Sequence, residues 1–290
     1  MKAKVWGCRG SLAAPGPDTI RYGGNTSCLE VRLESGAVLV LDAGTGIRML
    51  GLKLAEEVPK RIDILLTHLH LDHLEGLGFF TPLWTAESEL HIWGPPSPLK
   101  SLKDRIATYL SPPLFPVHLS AIPSQPTFHD TPSDEEWELA GVRVAAQPIS
   151  HPGPTVGYRI EEEGRTLVYM PDHEPALGIG DLRGVSPEWL SGYAAAFGAD
   201  VLFHDAQYTE EEYGHKVGWG HSSTEHVVTF AQLAKVRRLF MTHHDPLHSD
   251  DDLEAVFARA IELWNGNGAA GSGSHDGEIA MAYEGMEVEV

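Results

Sequence analysis

The sequence predicts an α/β layered domain with mixed β-sheets whose outer faces are covered by helices. Three observations lead there. Short apolar runs ending in turn signals fill the first half of the chain. In the second half such runs alternate with amphipathic segments of helical period. Hydrophobic residues make up 42% of the 290, which argues against a disordered chain and leaves ample material for a core. Residues 1–290 are read as one domain without internal repeats.

The elements follow in order. SCLEVRLE (27–34) alternates like a half-buried strand, and AVLVLDAGTG (37–46) reads as a buried strand running into a glycine-rich loop. RIDILLTH (61–68) and LHIWGPP (90–96) are further strands. From about Lys100 to Glu136 the chain is rich in proline and polar residues, with one helix near LKDRIATYL. VRVAAQPISH, GYRIEEEGRTLVYMPD and ADVLFHD again read as strands. STEHVVTFAQLAKV is a helix with Ser222 or Ser223 as N-cap, RRLFMTHHD a strand, and SDDDLEAVFARAIELW a helix opened by acids that suit its dipole. NGNGAAGSGS (265–274) is a loop by composition, and the tail EIAMAYEGMEVEV returns to strand character.

Composition excludes several function classes. The formal net charge is -20, without a Lys/Arg-rich block, so DNA would be repelled. No apolar run reaches membrane-spanning length, and MKAKVWGCRGS lacks the apolar segment of a signal peptide, so a cytoplasmic location is expected. Cys8 and Cys28 read as small buried residues rather than a disulfide.

The chemistry concentrates in THLHLDH, residues 67–73. In an extended segment residues two apart face the same way, so His68 and His70 can bind one ion. Asp72 and His73 follow as the chain turns and can aim at a neighbouring point. That is the layout of two-metal hydrolases, whose ions lie about 3.5–4 Å apart. Imidazole with carboxylate suits zinc, manganese or iron, and hydrolysis favours zinc. The remaining ligands are expected in loops after later strands: His151 in PISHPG, Asp172 in LVYMPDHE and His243 in LFMTHHDP.

This pattern resembles the metallo-β-lactamase superfamily, with LDAGTG at the first motif, HLHLDH at the second, and His151, Asp172 and His243 at the third to fifth. The resemblance covers most of the chain. It implies an αββα sandwich, two mixed sheets flanked by helices, with two divalent ions at one edge: zinc, with manganese as the alternative. It also implies that His68, His70 and His151 hold the first ion, that Asp72, His73 and His243 hold the second, that Asp172 bridges them, and that Asp42 orients the ligands.

VGWGHSSTEHV resembles the Gly-His-Ser-Thr motif of the tRNase Z branch, whose histidine assists phosphodiester cleavage; here it is His221. That branch supplies a partner carboxylate from a His-Glu-Ala segment, and FHDAQY puts Asp205 there, one methylene shorter. The branch's tRNA-gripping arm commonly lies between the third and fourth motifs. The interval from His151 to Asp172 is too short for it and acidic, which with the net charge makes long RNA an unexpected substrate. The opening WGCRGSLAAPGPDTIRYGGNTSCLEV resembles instead bacterial and phage phosphodiesterases acting on small cyclic phosphodiesters, anti-Pycsar nucleases among them and, more distantly, phosphoribosyl cyclic phosphodiesterases. These commonly form homodimers. Asn25, Thr26 or Ser27 could meet ligand or metals, or simply form a turn; Arg9 and Arg21 could meet phosphate or lie at the surface.

The expected activity is therefore hydrolysis of a small anionic phosphodiester, foremost a 3′,5′-cyclic nucleotide, to a monophosphate. Metal binding lowers the pKa of water toward ~7, Asp172 orients the nucleophile and can act as its base, and His221 on Asp205 protonates the leaving oxygen. The alternatives are a tRNase Z-like ribonuclease, a phosphoribosyl cyclic phosphodiesterase, a glyoxalase II-type thioester hydrolase and a nucleotide-binding sponge without catalysis.

Overall fold

A computed structural model describes residues 1–132, 135–266 and 277–290. Of the loop expected at 265–274, residues 267–274 lie outside the described residues, as does His275. The strands are β1 (Lys2–Gly7), β2 (Cys28–Arg32), β3 (Val38–Leu41), β4 (Arg61–Leu65), β5 (Glu89–Gly94), β6 (Thr127–Asp130), β7 (Glu136–Leu139), β8 (Val142–Pro148), β9 (Val156–Glu162), β10 (Arg165–Met170), β11 (Val201–Asp205), β12 (Arg238–Thr242), β13 (Glu278–Met281) and β14 (Glu287–Glu289). The helices are α1 (Ile47–Glu57), α2 (Leu102–Tyr109), α3 (Tyr193–Ala196), α4 (Glu210–Lys216), α5 (Thr224–Leu233) and α6 (Asp250–Trp264).

Two mixed sheets result. The first runs β14-β1-β2-β3-β4-β5-β6, antiparallel up to β3 and parallel beyond it. The second runs β13-β12-β11-β10-β9-β8-β7, parallel from β13 to β10 and antiparallel from β10 to β7. The period of two along each strand builds the layers. In β3, Leu39 and Leu41 join Leu65, Val144, Tyr158 and Phe203 in the apolar layer between the sheets. Val38 and Val40 point the other way and pack with Ile47, Leu50 and Leu54 of α1. In β12, Phe240 faces inward, while Leu239 and Met241 meet Phe230 of α5 and Leu253 of α6. Strands buried on both faces read as continuous apolar runs, as VLVL does.

The caps follow the sequence. Ser223, not Ser222, caps α5, its hydroxyl accepting from His226 N–H. Ser249 and Asp252 form a capping box at α6. Elements the sequence reading did not name are β1, β6, β7, α1, α3 and α4. In α1 the reason is Gly51, which weakens the helical signal by about 1 kcal/mol relative to alanine. A Cβ at Gly51 would stand 2.8 Å from both Phe80 Cδ2 and Thr81 N, so the packing against residues 80–81 requires the glycine.

Candidate metal centre

The predicted ligands all follow strand ends that meet at one rim. Thr67–His73 follow β4, His151 follows β8, Asp172 follows β10 and His243 follows β12. The structure gathers them into two sets in which one donor atom from each residue lies within 4.8 Å of the others. One set is His68, His70, His151 and Asp172; the other is Asp72, His73, Asp172 and His243. Asp172 belongs to both. His70 is exposed, so the centre opens to solvent there. His243 takes a left-handed backbone, φ +60°, as does Asp42 at φ +63°; such local strain is characteristic of functional sites.

Whether these residues suit divalent cations is decided by their ring nitrogens. His73 Nδ1 stands 2.8 Å from Asp42 Oδ2, His151 Nδ1 2.9 Å from the Gly220 carbonyl, and His243 Nδ1 3.1 Å from Gln207 Oε1. Thr67 donates its hydroxyl to Asp42 and so accepts from His68 Nδ1 at 3.0 Å. With Nδ1–H committed to an acceptor, each ring turns an Nε2 lone pair inward. His73 Nε2 and His243 Nε2 then face one another at 3.4 Å. His68 Nε2 and Asp172 Oδ1 are buried without a hydrogen-bond partner. Converging lone pairs and an orphaned carboxylate oxygen are what a cation satisfies, so the residues fit the two ions.

The electrostatics agree. Burial lowers His68 well below the usual imidazole range and His151 to about 4, which keeps these rings neutral and able to ligate. Burial works to raise Asp172, but His243, His73 and His68 outweigh it and hold the carboxyl well below its usual range. At His73 burial opposes a charge, yet Asp172, Asp72 and Asp42 outweigh it and raise the group. A pocket that draws positive charge against desolvation is suited to metal.

The surrounding contacts include residues the sequence reading missed. Thr67 is one: together with Asp42, which the sequence had put forward as orienting the ligands, it holds His68 and His73. Ser11 N–H donates to Asp72 Oδ2 at 2.7 Å, and Gln207 bridges the Ser11 hydroxyl and His243. Glu174 is 1% exposed and accepts from Tyr213 Oη, from Gly218 N–H and from Gly220 N–H. Gly220 in turn holds His151 through its carbonyl. The only sequence signal was that Glu174 and Gln207 each stand two residues beyond a residue already singled out, Asp172 and Asp205. Glu174→Gln, which places an amide donor among N–H donors, is expected to weaken metal binding at the His68–His70–His151 set about 10–100-fold. Zinc titration of the folded variant against a competing chelator measures this.

Other candidates fall elsewhere. Arg9 neither meets phosphate nor lies at the surface: it is fully buried and donates to the carbonyls of Gly23, Asp245 and His248. Arg21 pairs with Asp250, Asp251 and Glu254. Asn25 is bonded to Glu284, and Thr26 to Thr45 and Glu75. His173 and His204 form a buried pair at 2.8 Å, His244 binds the Ala282 carbonyl and His248 binds Glu212.

His221 sits beside the two sets. Its Nδ1 is 2.7 Å from Asp205 Oδ2, and Asp205 is itself fixed by the N–H groups of His173 and Gln207. The shorter aspartate therefore reaches the histidine. The His221 ring stacks on His243 with centroids 5.0 Å apart, and its Nδ1 lies 3.9 Å from Asp172 Oδ2. A third possible grouping, Asp205, His221 and His243, arises from this stacking.

Known proteins place this arrangement. A ribonuclease Z of Mycobacterium bovis is 26% identical over 284 residues, covering 92% of this chain and 95% of its own. The metallo-beta-lactamase fold protein YhfI of Bacillus subtilis has a TM-score of 0.69 at 18% identity over 99% of both chains. Human tRNase Z, short form, has a TM-score of 0.67 at 21% identity, over 100% of this chain and 99% of its own. The family model described as the beta-lactamase superfamily domain matches residues 38–244. That match starts with β3, ahead of Asp42, and ends just after His243, so it takes in every residue of both sets: the chain belongs to the beta-lactamase superfamily and is a hydrolase of the metallo-β-lactamase fold.

Proposed function

We propose that this chain, working as a single domain, is a phosphodiesterase that opens small cyclic phosphodiesters, foremost 3′,5′-cyclic nucleotides, to monophosphates. The observation that carries the reading is the His221–Asp205 pair, 2.7 Å apart and beside Asp172. Departure of an alkoxide from phosphorus calls for a proton donor, and a histidine held by a carboxylate supplies one. A thioester hydrolase has no such need.

Divalent ions, with zinc the metal that the histidine-rich sets favour, would be held by His68, His70, His151, Asp72, His73, His243 and the shared Asp172, and would supply Lewis acidity toward the phosphate and toward water. Asp172 orients the attacking water and takes its proton at a carboxylate oxygen. As the new P–O bond forms, the P–O bond to ribose breaks. His221, charged and bonded to Asp205 through Nδ1, gives its Nε2 proton to that ribose oxygen. Asp42 and Thr67 keep the rings of His68 and His73 turned inward throughout.

The interval between His151 and Asp172 favours a small substrate. It holds the β9–β10 hairpin, closed by a tight turn at Glu163 and Gly164, and leaves no length for a tRNA-gripping arm. The net charge of -20 works against a long polyanion as well. The ribonuclease reading draws on the curated relatives, which are named ribonuclease Z. No helix among the described residues is long and apolar enough to cross a membrane. By resemblance to the small phosphodiesterases, the protein acts as a homodimer.

The test is turnover by zinc- or manganese-loaded protein on one panel. It holds cyclic AMP, GMP, CMP and UMP, a phosphoribosyl cyclic phosphate, bis(p-nitrophenyl) phosphate, a tRNA precursor and S-lactoylglutathione. Metal-dependent opening of cyclic nucleotides is the expected result. Activity confined to the tRNA precursor or to the thioester overturns the proposal.

A further inference from the structure

The loop that delivers His221 carries a feature the proposed chemistry does not use. Trp219 is 62% exposed, although it stands two residues before His221 and next to Gly220, whose carbonyl holds His151. Trp219 and His221 are therefore separated by no more than about 7 Å along the chain.

This loop is built to hold its shape. Gly218 and Gly220 flank the tryptophan with left-handed backbones, φ +86° and +90°. Both donate their N–H groups to the buried Glu174 carboxylate, at 3.1 and 3.0 Å, and Trp219 N–H bonds to the Lys216 carbonyl at 3.0 Å. A Cβ at Gly220 would lie 2.4 Å from His151 Nδ1 and 2.3 Å from Pro152 Cδ, so the loop presses directly on the metal centre and its proline-containing neighbour. The apolar neighbours Leu177 and Val217 are exposed by 64% and 44%; a Cβ at Gly218 would lie 3.7 Å from Leu177 Cδ1, and one at Gly178 3.5 Å from Val217 Cγ1. The backbone on both sides of Trp219 is anchored to a single carboxylate, and this exposed indole is carried only two residues from the proposed proton donor.

We propose that Trp219 is the stacking platform for the nucleobase of the substrate, and that Glu174 is the positioning residue that holds the platform in register with the metal centre. The inference rests on the phosphodiesterase reading and extends it to the part of the substrate that does not react. Every base offers a π-face, so stacking favours nucleotides over base-free phosphodiesters with little preference among bases. The pre-set loop reduces the ordering cost of binding.

Trp219→Ala and Trp219→Phe are compared with the wild type in the metal-loaded protein. KM and kcat are measured for cyclic AMP and for methyl ribose 3′,5′-cyclic phosphate, which has no base. Binding of a cyclic AMP phosphorothioate is followed by calorimetry, independently of turnover. Trp219→Ala is expected to raise KM for cyclic AMP and Kd for the phosphorothioate about 10–100-fold, with a much smaller rise for the base-free ester. Trp219→Phe is expected to recover most of the loss. Unchanged phosphorothioate binding in Trp219→Ala, or an equal loss for the base-free ester, overturns the platform. Where the wild type opens no cyclic nucleotide but cleaves RNA, the cyclic reading alone fails, and the platform stands or falls on the same comparison with a diribonucleotide. A wild type that binds neither nucleotide overturns both.

Discussion

Replacing His221 with alanine is expected to lower kcat on a cyclic nucleotide about 10²–10⁴-fold while both ions remain bound. His221 is not a member of either set that shares Asp172, and its Nδ1 is taken by Asp205 at 2.7 Å. Removing it should therefore take away a proton donor and leave the ligands in place. The size of the loss depends on the leaving group. An alkoxide needs the proton, whereas p-nitrophenolate departs without it, so bis(p-nitrophenyl) phosphate should suffer far less than cyclic AMP. Asp205→Asn keeps the shape but removes the charge that stabilises the imidazolium, and a smaller loss with the same dependence on leaving group is expected. Steady-state kinetics on the two substrates, with metal content measured on the same preparations, checks this. Loss of an ion from His221→Ala would instead make His221 a ligand through its grouping with Asp205 and His243. Equal losses on both substrates would exclude the proton-donor role.

Replacing Asp172 with alanine is expected to be more damaging, because one carboxylate serves both sets. The side chain is 2% exposed, with His73 Nε2 at 2.9 Å, His243 Nε2 at 3.2 Å, His151 Nε2 at 3.6 Å and His68 Nε2 at 3.7 Å. Without it Asp72 still faces His73 and His243, at 3.2 and 3.3 Å, but the His68–His70–His151 set is left with no carboxylate and the two sets share no ligand. Metal stoichiometry should fall below two, and activity should drop by more than the 10–100-fold typical of an outer partner. Stability provides a second readout. An ion present at 100 times its Kd adds about 2.7 kcal/mol to folding. Chelation should therefore lower the wild-type Tm by about 5–10 °C and that of Asp172→Ala by much less. Elemental analysis and paired melting curves with and without chelator measure this. An Asp172→Ala protein that keeps two ions and the full chelator-sensitive shift would remove Asp172 from the bridging role.

Much of the fold was legible because local rules and tertiary packing agree. Eleven of the fourteen described strands, lying in nine sequence stretches, and helices α2, α5 and α6 were readable from apolar period and caps, since each buries one or both faces along its own length. Helix α1 was not, because the Gly51 that weakens its propensity is required by a loop 29 residues further on. Helix α4 is short and polar, and its capping box at Thr209 and Glu212 passed unnoticed. The alternation of an extended segment put His68 and His70 together, and the turn after them put Asp72 and His73 in a second set.

The sequence by itself determined the layered α/β class and where the candidate metal-ligating side chains stand along the chain. Those depend on periodicity, strand ends and residue chemistry, all of which are local. The tertiary structure decided which groups hold those side chains in place. Gln207 reaches Ser11 across 196 positions, Glu174 reaches Gly220 across 46, and Arg9, which looked available to a phosphate, is spent on three carbonyls in the interior. A hydrogen bond depends on distance and angle in space, and for residues so far apart in sequence these exist only once the two sheets have closed on one another.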